Sequence, residues 1–133
     1  MSVFLDVNIV MYAAGEPHAH KEPSLRLLRE AAEGRHELVS DAEALQELLY
    51  RYWRLRQVDR GAALVQQMLR LVPTILPVEK RDVALASTLL TQHQQLEPRD
   101  AIHAAVMLNH GLTQLYSYDH HFDAIPSLSR LEP

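Results

Sequence analysis

The chain has 133 residues, 47% of them hydrophobic and 23% charged, with a formal net charge of −4 and no cysteine. This is the composition of an ordinary globular protein with enough chain for one core, expected as a single domain over residues 1–133. It excludes a disulfide framework, a thiolate metal site and a surface coated for polyanions. No stretch reads as a signal peptide or a membrane helix, so a cytoplasmic protein without membrane attachment is expected.

The chain opens with a short apolar strand, Val3-Phe4-Leu5, that runs straight into Asp6. Asn8 to Ala14 reads as a short helix ended by Gly15, and Glu16 to His20 as a loop. A helix begins near Ala19 or Pro23 and runs to Ala32, with Leu25, Leu28 and Ala32 along one side and Gly34 as its stop. Glu37 to Val39 is a short strand. Ser40-Asp41-Ala42-Glu43 has capping-box spacing, with Ser40 as cap, for a helix to about Arg56 whose stripe includes Ala44, Leu48, Leu49, Tyr52 and Leu55.

A further helix covers roughly Asp59 to Leu71, and Thr74 to Val78 reads as a strand. Glu79 to about Gln94 is helical through Val83, Ala86, Leu89 and Leu90. Pro98 suits the first turn of the next helix, which ends at Asn109 before Gly111. Thr113 to Tyr118 is a strand, Asp119 to Asp123 a loop, and Leu128 to Leu131 a last edge strand. Strands alternating with helices in this way predict an α/β sandwich around a mainly parallel sheet.

Four acids stand where a carboxylate needs a reason. A lone buried ion costs several kcal/mol, on the order set by desolvation, so Asp6 at a strand end either caps the following helix or meets a cation. Asp119 ends another strand and reads equally as a turn residue or as a second acid in the same crevice, since open parallel sheets bind ligands beyond the carboxyl ends of their strands. Asp100, in the first turn of its helix, complements the helix dipole; Ala101, Ala104 and Ala105 would let that helix lie close to the sheet. Asp82 has a comparable first-turn role. Glu43 is explained as the reciprocal partner of the Ser40 cap, and Glu47 reads as a solvated glutamate near Arg51 or Arg54. The histidines, among them His18, His20, His103, His120 and His121, lack zinc-hydrolase spacing and read as surface residues.

Taken in order, Phe4-Leu5-Asp6-Val7-Asn8, then Ser40 with Glu47-Leu48-Leu49, then Pro98-Arg99-Asp100-Ala101-Ile102-His103-Ala104-Ala105 and Ser117-Tyr118-Asp119-His120-His121-Phe122, the chain resembles the PIN-domain ribonucleases. The likeness is greatest to the VapC-type toxins of toxin–antitoxin pairs. It implies a three-layer α/β/α fold with a mainly parallel sheet, and an acidic pocket that binds Mg²⁺ or Mn²⁺ and hydrolyses RNA. Carried over by position, Asp6, Glu47, Asp100 and Asp119 are the catalytic carboxylates, with Asp6, Asp100 and Asp119 on the metal and Asn8 and Ser117 beside them. The resemblance overturns the solvated reading of Glu47 and the dipole reading of Asp100. In one place the chain departs from the pattern: many relatives carry another acid two residues after the last aspartate, where this chain has His121, and Asp123 substitutes only if the loop turns it inward.

The resemblance also implies an RNA substrate, a cognate antitoxin and a homodimer, with Arg51, Arg54, Arg56 and Arg99 as candidates to grip RNA. Two rivals are a non-catalytic PIN-fold interaction module and a phosphatase of the haloacid-dehalogenase type. The phosphatase chemistry needs a proton donor two residues after the first aspartate, where this chain has Asn8.

Overall fold

Strands three or four residues long and buried on both faces must be covered by helices on either side. The computed structural model describes residues 1–133 and shows that arrangement. Its elements are β1 (Val3–Leu5), α1 (Val7–Ala14), α2 (Lys21–Ala32), β2 (Leu38–Asp41), α3 (Ala42–Arg54), α4 (Val58–Leu71), β3 (Thr74–Leu76), α5 (Lys80–Gln92), α6 (Pro98–Asn109), β4 (Gln114–Tyr116) and β5 (Ser129–Leu131). A 3₁₀ turn over His120–Ala124 precedes β5. The sheet has the order β3-β2-β1-β4-β5, with every pairing parallel.

Alternation along β1 divides the core. Phe4 joins Leu115, Phe122 and the small residues Ala101, Ala104 and Ala105 of α6 on the face covered by α5 and α6. Leu5 joins Val7, Ile9, Leu27, Leu48 and Met68 on the face covered by α1 to α4. The result is the expected α/β/α sandwich.

The strand order reverses beside β1, between β2 and β4, and that switch point opens a crevice at the carboxyl ends of the strands. Register brings Leu5 opposite Tyr116, and the Asp6 amide continues the pairing by donating to the Tyr116 carbonyl at 3.0 Å. Asp6 and Asp119 therefore leave the sheet side by side, as their strand-end positions suggest.

Several local expectations are corrected. Asp41, not Ser40, caps α3: its Oδ1 accepts from the Ala44 amide at 2.9 Å. The buried Ser40 hydroxyl instead donates to the Leu5 carbonyl at 2.9 Å, tying β2 to the end of β1. The α3 stripe is narrower than predicted, with Ala44, Leu48 and Tyr52 buried but Leu49 and Leu55 exposed. On α2 the buried residues are Ser24 and Leu27, because the helix is rotated from the Leu25 and Ala32 face.

Candidate active site

Helix starts and strand ends supply the site, and local backbone needs aim its side chains. Asp6 caps α1, its Oδ1 accepting from the Asn8 amide at 3.4 Å. Asp100 closes a capping box, its Oδ2 accepting from the Glu97 amide at 3.2 Å. Asp119 caps the 3₁₀ turn by accepting from the His121 amide at 2.9 Å. The cap read for Asp6 is present, Asp100 and Asp119 add capping contacts of their own, and each aspartate keeps a second oxygen or lone pair for other work. That double use answers the choice posed by Asp6.

Ser117 links two of the acids. Its hydroxyl donates to Asp6 Oδ2 at 2.6 Å and accepts from the Asp119 amide at 2.9 Å. Asn8 Nδ2 donates to the same hydroxyl at 3.3 Å. Thus Asn8 and Ser117 stand beside Asp6 and Asp119.

The four acids gather as two groups. Asp6, Glu47 and His103 offer ligand atoms within 4.8 Å of one another, and so do Asp100, Asp119 and His121. The first group extends into the protein. His103, only 1% exposed, meets Asp41 Oδ2 through Nδ1 at 2.8 Å and Glu47 Oε1 through Nε2 at 2.5 Å. A ring with both nitrogens facing carboxylates is a double donor, which is the imidazolium form. Burial pulls its pKa down, but the hydrogen bonds and charges of Asp41 and Glu47 overcome this and hold it well above the usual histidine value. With both nitrogens committed, His103 orients Glu47 and leaves metal ligation to the acids.

In the second group, His121 Nδ1 lies 3.1 Å from Asp100 Oδ2 and 3.2 Å from Asp119 Oδ1. The imidazole comes between the two acids, and its hydrogen bond to Asp100 raises its pKa. Asp123 takes no part: it pairs with Arg130 at 2.9 Å and faces His120 at 3.3 Å. The loop therefore turns Asp123 outward, and His121 lies among the acids in its place.

Sequence reasoning missed Asp41 and His103. Asp41 was hidden because Ser40 offered the same capping logic one residue earlier. His103 lies one turn after Asp100 amid Ile102, Ala104 and Ala105, and that setting was the available sign of a buried ring. Glu43 makes no capping box; it is half-buried, and burial raises its pKa, with His103 opposing and Glu47 and Asp41 adding to the rise.

The charges show what is missing from this set. Burial pushes Asp6 up to about 6, despite the opposing His103 charge and the Ser117 hydrogen bond. Burial and the nearby Asp119 also raise Asp100. Asn8 Oδ1 is buried without a partner. An orphaned acceptor, two acids short of positive charge and an all-oxygen carboxylate set fit a hard, hydrated divalent cation. Asp6 and Glu47 on one side, with Asp100 and Asp119 on the other, are the side chains able to hold it.

A five-stranded parallel sheet with carboxylates at its switch point defines a class, and nearly the whole chain matches one: residues 3–128 fit the PIN domain. The chain belongs to the PIN-domain family. Among its relatives, Ribonuclease VapC13 of Mycobacterium tuberculosis is 40% identical over 129 residues, covering 97% of this chain and 98% of the relative. Ribonuclease VapC23 of the same species is 38% identical over 121 residues, covering 89% and 93%. The fold is similar to that of M. tuberculosis VapC20, described as a sarcin-ricin loop cleaving toxin. That match has a TM-score of 0.78 at 19% identity and covers 98% of this chain and 99% of the other. It is also similar to a chain of DNA-bound VapBC from Salmonella typhimurium, with a TM-score of 0.74 at 17% identity over 99% and 98% of the two chains.

Proposed function

We propose that this protein is a VapC-type endoribonuclease that uses Mg²⁺ or Mn²⁺ and serves as the toxin of a toxin–antitoxin pair. The observation that carries the reading is the gathering of Asp6 with Glu47 and of Asp100 with Asp119, linked through Ser117, in a chain 40% identical to a VapC ribonuclease over nearly its full length. When bound, a divalent cation activates water and stabilises the charge that develops on a phosphodiester. Asp6, Asp100 and Asp119 would hold the ion, and Ser117 and Asn8 fix the Asp6 carboxylate. Glu47, aimed by His103, accepts a proton from the attacking water. No side-chain nucleophile is required.

The proposed substrate is RNA. Among the arginines considered, Arg51 supports the reading best, since it lines a cavity together with Asn8. Arg56 lines a separate hollow with Trp53, and Arg99 pairs with Glu97 at 3.6 Å. The proposed partner is a cognate antitoxin laid over α3 and α4, where Leu49, Trp53, Leu55, Val58 and Leu69 are exposed; such patches mark interaction surfaces. The proposed active unit is a homodimer, which sedimentation of the purified chain tests.

Purified protein incubated with structured RNA and Mn²⁺ is expected to cleave it, and EDTA to abolish cleavage. Asp6→Asn should lower the rate by more than about a hundredfold, beyond the loss expected for an outer partner of a metal ligand. Cleavage that survives both chelation and the substitution would overturn the reading.

A further inference from the structure

A cavity of about 390 Å³ opens beside the acids, lined by Asn8, Met11, Tyr12, His18 and Arg51 among others. Asn8 is its common wall with the site, through the hydrogen bond to Ser117. Two of its lining rings belong to a cluster of four. Tyr12 lies 4.8 Å from His18 and 5.4 Å from Tyr118 between ring centroids, and His20 stacks on Tyr118 at 3.7 Å and 11°. Tyr118 directly precedes Asp119, so the cluster is anchored to the acid site at both ends, by Tyr118 in the loop after β4 and by Asn8 and Tyr12 on α1.

The catalytic assignment uses none of these rings, and the core does not need them all, because His18 is exposed and Tyr12 only half-buried. The α1–α2 loop is held in place for them. His18 Nδ1 accepts from the His20 amide at 3.0 Å, and Lys21 Nζ donates to the Gly15 carbonyl at 2.7 Å. Such a cavity has flat rings for a π-face, a guanidinium for a phosphate and a size sufficient for one nucleotide.

We propose that it is a base-stacking subsite, which receives one unpaired nucleotide of the RNA next to the scissile bond between the Tyr12 and His18 rings and Arg51. The proposal rests on the nuclease reading and adds what that reading lacks, a place where single-stranded RNA is held. Stacking on aromatic rings accepts any base, so the subsite selects unpaired RNA over duplex and does not set a sequence.

The test uses single-stranded RNA of mixed sequence carrying 2-aminopurine, a base whose fluorescence falls on stacking. It is mixed rapidly with the Mn²⁺-loaded protein and read ahead of cleavage. Wild type is expected to bind with quenching. Tyr12→Leu and His18→Ala should each weaken binding about tenfold and lose the quench, while Tyr12→Phe stays within about threefold. Calorimetric Mn²⁺ binding unchanged in all three variants excludes a folding defect. Quenching and affinity that persist in Tyr12→Leu and His18→Ala overturn the subsite, and leave the cavity to an antitoxin side chain. Absence of cleavage by wild type, with the quench intact and lost in the variants, overturns the nuclease reading and keeps the subsite. Absence of RNA binding by wild type overturns both.

Discussion

Asp6 is a carboxylate whose environment disfavours its charge. Its folded pKa of about 6 lies above the ordinary 3.8, so the folded state takes up a proton that the unfolded chain releases. Stability from this group is complete at low pH and is lost as pH rises toward and through about 6. At neutral pH without metal, Asp6 is therefore a burden, and Asp6→Asn should stabilise the metal-free protein by about 1–3 kcal/mol in urea unfolding while removing activity. Destabilisation by the substitution would mean that the Ser117 and Asn8 hydrogen bonds outweigh burial. His103 presents the opposite case. Its ring serves Asp41 and Glu47 together in the interior, and His103→Ala leaves carboxylates there without their cation. The expected cost is about 3–5 kcal/mol, seen as a lower midpoint of chemical denaturation.

At the scale of the element, the same capping chemistry recurs with different ends. Asp82 closes the start of α5 as Asp100 closes α6, each accepting from the amide three residues back. Asp82 goes on to accept from Asn109 Nδ2 at 2.8 Å, which ties the N-terminus of α5 to the C-terminus of α6. Burial works to raise its pKa, but that bond and the Glu79 amide hold it below the usual carboxylate range. The contribution to stability is present above the unfolded value and is lost as pH falls through the folded one. Asp82→Ala should cost about 1–2 kcal/mol at neutral pH, with the difference from wild type shrinking in thermal melts as the pH is lowered below the usual carboxylate range. A difference that does not change with pH would mean that shape, and not charge, holds the two helices together.

At the scale of the molecule, the acid site couples to global stability. An ion that binds only the folded chain raises stability by about 2.7 kcal/mol at a hundredfold excess over its dissociation constant. Mn²⁺ should therefore raise the Tm of wild type and leave that of Asp6→Asn nearly unchanged. A shift of equal size in both would assign the ion to another site. Much of this frame was legible in the sequence, because strand runs, Pro98 and the stops at Gly34 and Gly111, both at positive φ, are local signals. Which acids would meet was also legible for Asp6 and Asp119, whose strand ends face one crevice. Glu47 was legible only through the family resemblance, because it is aimed by His103, a contact across 56 positions that no periodicity records. Asp41 and His103 were missed because they pair with each other across 62 positions, and Ser40 offered the same capping logic one residue earlier.

The Ser117 hydroxyl reaches Asp6 across 111 positions of chain. Order of synthesis follows from that span. The first acid is made almost at once, yet its hydrogen-bond partner and Asp119 both lie at or beyond β4, close to the other end. A chain that stops before β4 has neither, and its exposed strand β1 lacks a neighbour on that side. The four-acid site therefore cannot close until the chain has passed β4, and a product that stops short of it lacks the site.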